Sequence, residues 1–195
     1  MARIQPLARE ELAEFEPFFE LVEDSMGFVP QSLFAMGRRP ELLRAFAGLS
    51  GTVLASGTLD RALVQLIAYV ASRAAGCSYC QAHTSHSAHR AGASREKIAA
   101  AFEYDTSPLF DDAERAALRL ANDAALVPNA ATDAHFEALR EHFDEARIVE
   151  IVSVISLFGY LNRWNDTVAT TLEDGPRRFG EEALAANGWS AGKHG

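Results

Sequence analysis

Apolar residues recur every three or four positions along most of this 195-residue chain, and no segment shows sustained alternation of apolar and polar residues. The first spacing is typical of amphipathic helices, whereas alternation would indicate half-buried strands. The clearest stripe includes Leu59, Leu66 and Val70. A second segment, from about Glu145 to Asp166, is apolar on almost every side, so we expect it in the core or in a subunit interface. The pattern predicts an all-α fold.

Capping residues and prolines divide the chain into the helices of one domain, residues 1–195. We expect residues 1–27 to hold an N-terminal helix, from Glu10 to about Val22, with a kink at Pro17. Residues 173–195 give weak signals and are expected to form a C-terminal tail with a loose end. Further helix starts are predicted at Pro40, Thr58, the Cys77–Cys80 segment, Ser94, Asp111 and Thr132.

The sequence also contains a faint internal similarity. Sliding the chain by 85 residues places residues 64–67 on residues 149–152 and Tyr79 on Trp164. This match indicates either an internal helical repeat or a chance likeness of two apolar helices, because periodicity alone cannot separate the two.

The charge balance and the apolar runs exclude several classes of partner. Lys and Arg number 18 against 27 Asp and Glu, which gives a formal net charge of −9. Because nucleic-acid binding depends on a basic surface that neutralises phosphates, we expect no nucleic-acid partner. No apolar run reaches the roughly 20 residues of a membrane-spanning helix, and the N-terminus lacks the apolar stretch of a signal peptide. We therefore expect a cytoplasmic protein without a membrane partner.

The two cysteines of the chain, Cys77 and Cys80, form a C-x-x-C motif at a predicted helix start. In a reducing cytosol such a pair indicates catalysis or metal binding rather than a structural disulfide. A helix N-terminus and a nearby histidine both lower the pKa of a thiol, and the thiolate is the nucleophile. The spacing lets the sulfurs join as a disulfide, so one thiol can attack an oxidised substrate and the other can resolve the adduct.

Histidines follow the motif on the same predicted helix. At about 100° per residue, His83 lies roughly 60° from Cys80 around the helix, within side-chain reach. His86 points further from the cysteines and is the second candidate. We therefore expect His83 to be the proton-transfer partner of the thiols. His135 and His142 are interpreted as surface or capping residues.

Two other uses of these residues compete with thiol catalysis. Cys77, Cys80, His83 and His86 could form a Cys2His2 zinc set, but a structural zinc site normally draws its ligand pairs from separate segments. Four ligands within ten residues, mostly on one helix, present one face only, so a second chain would have to complete the shell. A purely structural pair of buried cysteines is the other alternative. We expect no metal and no cofactor.

The segments around the motif resemble a known family. Leu59-Asp-Arg-Ala-Leu-Val-Gln-Leu-Ile67 and Ala74-Ala-Gly-Cys-Ser-Tyr-Cys-Gln-Ala-His83 are similar to the core of the alkylhydroperoxidase D / carboxymuconolactone decarboxylase family, above all to its peroxidase-related branch. The resemblance covers about residues 28–172, leaving the N-terminal helix and the C-terminal tail outside it. Supporting segments are Val29–Leu33, Thr106–Phe110 and Phe158–Asp166.

The resemblance implies an all-helical fold that assembles into a homo-oligomer, either a trimer, a hexamer or a dimer. It also implies that the protein reduces a small hydroperoxide through the C-x-x-C pair, with a disulfide intermediate and an external dithiol as reductant. In this scheme Cys80 matches the peroxidatic thiol and Cys77 matches the resolving thiol.

The chain departs from the family pattern at two positions. The family's relay carboxylate falls on Gln65, which cannot take up a proton as a carboxylate does. The family's relay histidine falls on Thr84, with His83 one residue earlier. Glu150, which matches Gln65 in the internal similarity, is expected either to supply the missing carboxylate or to have a structural role. Gln65, His86 and Glu150 are therefore candidate relay residues.

These observations together predict a thiol-dependent oxidoreductase that reduces hydroperoxides through Cys77 and Cys80, with His83 favouring the thiolate of Cys80. Two alternatives stay open. A carboxymuconolactone decarboxylase-like enzyme would need acid–base groups and would not need two thiols. A non-catalytic oligomeric or metal-binding helical protein would need no reactive thiol.

Overall fold

The computed structural model describes residues 2–195, which form helices and connecting loops without a strand. The prediction of an all-α fold is confirmed. No helix in this range combines the length and the apolar character that crossing a bilayer requires. Short 3-10 helices lie at Arg9–Phe15, Ala185–Asn187 and Gly192–His194. The α-helices are α1 (Glu16–Met26), α2 (Gln31–Met36), α3 (Pro40–Ala55), α4 (Arg61–Ala74), α5 (Ser78–Arg90), α6 (Arg95–Ala100), α7 (Asp112–Ala124), α8 (Asp133–Arg140), α9 (Glu145–Val168) and α10 (Asp174–Ala183).

Helix α4 lies at the centre of the fold, where it packs against α5, α7 and α9. Its apolar stripe is covered on all sides, and Ile67, Ala68 and Ala71 expose no surface. Complete burial of an aliphatic side chain such as Ile67 contributes roughly 1.5–3 kcal/mol. This packing fixes the position of α5 and of the residues that α5 carries.

The start of α4 differs from the prediction. Asp60 caps this helix, because its carboxylate accepts hydrogen bonds from the N–H groups of Ala62 and Leu63 at 2.9 and 3.0 Å. Thr58, the predicted cap, lies earlier in the loop, where its N–H and its hydroxyl donate to Glu150 of α9. The structure also confirms the predicted helix starts at Pro40, Ser94, Asp111 and Thr132.

The N-terminal segment forms two helices rather than one kinked helix. A 3-10 helix ends at Phe15, and Pro17 lies in the first turn of α1, where its missing N–H has no helical partner to lose. The prediction of a single helix over residues 10–22 is therefore wrong. The fully buried Phe19 packs against Phe34 of α2, with ring centroids 5.3 Å apart. The sequence pattern had not indicated α2.

Residues 173–195 pack on α5 instead of forming the loose tail that we expected. Helix α10 contacts α5, and Phe179 and Leu184 are buried. Trp189 Nε1 donates to the carbonyl of Ser78 at 3.0 Å, which ties the segment to the first turn of α5. The prediction failed because Pro176, a helix breaker at interior positions, lies in the first turn of α10, where proline is tolerated.

Gly180 of α10 lies directly against the indole of Trp189, and a Cβ at this position would come within 2.7 Å of two ring carbons. Gly180→Ala should therefore displace the indole and reduce the free energy of unfolding by about 1–3 kcal/mol. Gly175→Ala is the matched control, because nothing lies within 4 Å of its Cβ. Urea unfolding of both variants measures the difference, and equal midpoints would contradict the prediction.

The 85-residue similarity does not relate two copies of one structural unit. The shift places Gly76, at the corner between α4 and α5, on Leu161, which lies inside the continuous helix α9. The matched residues 64–67 and 149–152 lie in α4 and α9, two apolar helices that both contribute to the core.

Candidate active site

The C-x-x-C motif lies at the corner between α4 and α5. Gly76 has a φ of +73°, a conformation that residues with a Cβ rarely adopt, and it turns the chain after α4. Cys77 is the N-cap of α5, and its Sγ accepts a hydrogen bond from the N–H of Cys80 at 3.4 Å. The predicted helix start at the motif is confirmed. The positive end of the α5 dipole therefore lies at the sulfur of Cys77.

Both thiols are free and buried, but they differ in access. Cys80 lines a cavity of about 890 Å³, which we call the thiol cavity, whereas Cys77 is not part of its wall. Polar side chains that share this cavity with Cys80 include Gln65, His83 and Asn165. Apolar side chains form much of the remaining wall, among them Phe18, Leu21, Leu33, Phe46, Phe158 and Leu161.

The two thiols have pKa values that are shifted in opposite directions. A hydrogen bond from the Cys80 thiol, aided by the N–H groups of Cys80 and Tyr79, lowers the pKa of Cys77 despite its burial. Burial and the neighbouring Cys77 sulfur raise the pKa of Cys80 well above its ordinary value, although Asn165 Nδ2 donates to its Sγ at 3.5 Å. The lower pKa therefore belongs to Cys77, whereas the sequence analysis expected the thiolate at Cys80.

Cys77→Ser should lower the pKa of Cys80, because the variant removes the anionic sulfur that disfavours a second negative charge beside it. Burial persists, so the pKa of Cys80 should stay above the value of a free thiol, about 8.5. Ultraviolet absorbance of the thiolate, measured against pH in the variant and in the wild type, tests this. A pKa of Cys80 that is unchanged or higher in the variant would overturn the electrostatic coupling described above.

A carboxylate that the sequence had not singled out lies beside this motif. Glu173 is the N-cap of α10, and its side chain is only 12% exposed. Its Oε2 lies 2.5 Å from Nε2 of His83, and its Oε1 accepts from the N–H of Gln31 at 2.6 Å and from the hydroxyl of Tyr79 at 3.0 Å. The Tyr79 ring stacks on the His83 imidazole, with centroids 4.1 Å apart. His83 is thereby held in one orientation.

Glu173 is an ionised partner of His83 despite its burial. Burial raises the pKa of Glu173, but the His83 imidazole and the N–H of Gln31 outweigh burial and lower this pKa below its ordinary value. Because a carboxylate only accepts, Nε2 of His83 carries the hydrogen of their contact. Nδ1 of His83 has no hydrogen-bond partner within the described part of the chain, and His83 lines the thiol cavity. This nitrogen can therefore exchange a proton with a molecule in the cavity.

Two of the candidate relay residues have clearly different surroundings. Gln65 lines the thiol cavity together with Cys80, so the structure brings it to the motif. Glu150 is used elsewhere, because its carboxylate accepts from the N–H groups of Thr58 at 2.8 Å and Leu59 at 3.1 Å. The structure therefore supports the structural role of Glu150 and not a relay role.

His86 and Thr84 do not supply a relay either. Thr84 Oγ1 donates to the carbonyl of Cys80 at 2.7 Å, within α5. His86 is not part of the wall of the thiol cavity; its ring lies 5.7 Å from that of Phe179, and burial lowers its pKa. The zinc set of Cys77, Cys80 and the two histidines is not assembled, because no three of its donor atoms lie within 4.8 Å of one another.

Comparison with known proteins assigns the chain to a family. A model of the carboxymuconolactone decarboxylase family matches residues 40–123, which contain both cysteines and His83. An uncharacterised peroxidase-related protein from Ralstonia eutropha JMP134, with an alkylhydroperoxidase AhpD core, is 25% identical, with a TM-score of 0.72 over 87% of this chain and 88% of its own. The chain belongs to the alkylhydroperoxidase D / carboxymuconolactone decarboxylase family.

Two further similar proteins extend the comparison. The debrominase Bmp8 is 37% identical, with a TM-score of 0.87 over 92% of this chain and 96% of its own. That structure is a cysteine-to-alanine variant of Bmp8 in complex with 2,3,4-tribromopyrrole. The uncharacterised protein YnjA of Escherichia coli strain K12 is 30% identical over 110 residues. The matched part spans 56% of this chain and 60% of YnjA.

Proposed function

We propose that this protein is a thiol-dependent reductase of small apolar molecules, with organic hydroperoxides as its substrates. The observation that carries the proposal is the position of Cys80, whose buried thiol lines a largely apolar cavity while Cys77 lies one helical turn away behind it. Membership of an enzyme family with peroxidase-related relatives supports this assignment.

The reaction begins when the thiol of Cys80 loses its proton to the neighbouring Cys77 sulfur. The Cys80 thiolate attacks the terminal oxygen of the hydroperoxide, the O–O bond breaks, and Cys80 becomes a sulfenic acid. Cys77 then attacks the Cys80 sulfur, so that a disulfide forms and water leaves. The two thiols lose two electrons and the hydroperoxide becomes an alcohol. An external dithiol restores the reduced pair.

His83 and Glu173 supply the acid of this proposed cycle. The departing alkoxide needs a proton, and Nδ1 of His83 is the ring nitrogen that is available to the cavity. Glu173 holds the opposite nitrogen at 2.5 Å, which stabilises the positive charge of an imidazolium before transfer. In this proposal Glu173 supplies the relay carboxylate that Gln65 cannot provide.

The partners of the proposed cycle follow from its chemistry. Regeneration by a dithiol requires a reducing compartment, which agrees with the cytoplasm expected from the sequence. We also propose a homo-oligomer, because large apolar side chains remain on the surface of the single chain, among them Leu21 (70% exposed), Leu49 (55%) and Val149 (63%).

The test mixes the reduced protein with cumene hydroperoxide or with hydrogen peroxide and counts free thiols. We expect loss of two thiols per cumyl alcohol formed, and a faster reaction with cumene hydroperoxide because the cavity wall is largely apolar. Retention of both thiols with an excess of either peroxide would overturn the proposed function.

Reductive debromination is a second candidate, favoured by the 37% identity to Bmp8 over nearly the whole chain. In that reaction bromine would pass from a ring carbon to Cys80 as the carbon takes a proton. Cys77 would then displace bromide and close the disulfide. Bromide release from 2,3,4-tribromopyrrole, with loss of two thiols, would favour this candidate. Decarboxylation of a carboxymuconolactone that survives Cys80→Ser would favour the family's other chemistry.

A further inference from the structure

A thiol, a carboxylate and an imidazole that do not line the thiol cavity come together at Cys77. Cys77, Asp166 and His194 each bring one donor atom into a group whose members all lie within 4.8 Å of one another. Cys77 and His194 are buried, whereas the Asp166 side chain is 42% exposed. Asp166 lies near the end of α9, and His194 belongs to the segment that we had expected to be loose.

The hydrogen bonds of His194 fix which of its nitrogens can accept a proton. Nδ1 lies 2.8 Å from the carbonyl oxygen of Thr170, which can only accept, so Nδ1 carries a hydrogen. In the neutral ring Nε2 therefore has a bare lone pair. Nε2 is buried without a hydrogen-bond partner, in a side chain that is 1% exposed. A buried acceptor without a donor is unfavourable unless a neighbouring group supplies the proton.

We infer that His194 is the proton acceptor of Cys77 in the step that closes the Cys77–Cys80 disulfide. This inference rests on the proposed function, in which Cys77 holds a proton received from Cys80. Nε2 of His194 takes that proton as the Cys77 sulfur attacks the Cys80 sulfur. The sulfur–sulfur bond forms, the group bonded to Cys80 leaves with its electron pair, and His194 becomes an imidazolium.

Asp166 offers a route by which the proton that His194 takes from Cys77 can leave the site. Its Oδ1 lies 3.7 Å from Nε2 of His194, so it faces the imidazolium as that charge develops. Asp166 also lines a second cavity, of about 910 Å³, which does not include Cys80. The proton can therefore leave on this side of the molecule.

The charges around His194 agree with the role of a base. Burial lowers the pKa of His194, and Lys193 acts in the same direction, whereas the carbonyl of Thr170 and Asp166 raise this pKa. Lys193 is itself paired with Asp166 at 2.8 Å. The Tyr79 ring, 5.7 Å away, adds no charge while its hydroxyl is protonated. The lowered pKa favours the neutral form of His194, which is the form that can accept a proton.

The test uses bis(2-hydroxyethyl) disulfide, a small neutral oxidant that needs no peroxide chemistry. Cys80 attacks it and releases mercaptoethanol, and Cys77 then displaces the second mercaptoethanol. Acid quenching and mass spectrometry follow the mixed disulfide. His194→Asn is the main variant, because an asparagine amide can still donate to Thr170 but offers no basic nitrogen. His142→Asn, at an exposed position, is the matched control.

We expect His194→Asn to slow closure of the disulfide at neutral pH by about tenfold or more. The rate should recover as the pH rises, because hydroxide then ionises Cys77 without the base. Asp166→Asn should slow closure in the same direction, and its exposed side chain leaves the core intact. His142→Asn should close at the wild-type rate.

Three results would overturn the inference. The first is disulfide closure in His194→Asn at the wild-type rate. The second is closure in His194→Asn that is slowed by the same factor at every pH. The third is stoichiometric zinc that the wild-type protein retains and that His194→Asn loses. Failure of the wild type to close the disulfide would overturn the proposed function as well. Normal closure without any reaction with hydroperoxides would remove the proposed substrate and leave the role of His194 in place.

Discussion

Replacing Cys80 by serine is expected to abolish thiol-dependent turnover, with a loss of at least about 10³-fold. Serine has nearly the same size, so the wall of the thiol cavity should persist. Its hydroxyl has no accessible anion at neutral pH and cannot form a disulfide with Cys77. Consumption of cumene hydroperoxide, with a dithiol as reductant, measures the loss.

Ser85→Ala is the matched control for this experiment, because it removes a hydroxyl from the same helix. The Ser85 hydroxyl is buried and donates to the carbonyl of Ala82. This variant should retain wild-type turnover. Turnover that survives in Cys80→Ser would overturn the thiol mechanism, and turnover lost equally in both variants would assign the effect to the packing of α5.

Glu173→Gln is expected to reduce turnover by about 10²-fold and the free energy of unfolding by about 1–3 kcal/mol. The amide oxygen can still accept from the N–H of Gln31 and from the hydroxyl of Tyr79, so these two contacts persist. The amide cannot stabilise positive charge on His83, which removes the proton donor for the leaving alkoxide. Steady-state kinetics and urea unfolding measure the two effects.

The pH dependence of this stability difference has a definite sign. The pKa of Glu173 is lower in the folded protein than in the unfolded chain. The stability that ionised Glu173 contributes is therefore fully present above its pKa in the unfolded chain, about 4.3. It is lost as the pH falls through its pKa in the folded protein. The difference between the wild type and Glu173→Gln should shrink in acid, and a difference that grows in acid would contradict the ion pair.

A double-mutant cycle separates the ion pair from other effects of the substitution. His83→Gln and Glu173→Gln should each reduce turnover, and the double variant should lose little more than either single variant, because each substitution removes the same interaction. Losses that simply add would mean that the two side chains act independently, and the 2.5 Å contact would then have no role in catalysis.

Local rules of sequence predicted the elements that depend on local interactions. The helix starts at Pro40, Ser94, Asp111 and Thr132 follow from proline and capping chemistry, and the helix start in the Cys77–Cys80 segment was predicted as well. The prediction at Thr58 failed because Asp60, two residues further, offers a carboxylate in the same loop. Both are acceptable caps, and the packing of Glu150 against Thr58 decides between them.

The candidate site could be predicted only in part, because some of its polar groups come from distant positions in the chain. Cys77, Cys80 and His83 lie within one helix and its cap, where angular spacing applies. Glu173 reaches His83 across 90 positions of sequence, and no periodic pattern predicts such a contact. The preference of the thiolate for Cys77 depends on burial and on a sulfur–sulfur hydrogen bond, which also require the folded structure.

Helix α9 separates the two cavities of the molecule. Phe158, Leu161 and Asn165 face the thiol cavity, whereas Asn162 and Asp166 face the second cavity. A bulky substrate can therefore exclude bulk water from the thiol cavity while the second cavity, on the opposite side of α9, stays hydrated. High substrate concentrations would then leave deprotonation of Cys77 unhindered, because the substrate and the proton would use different cavities.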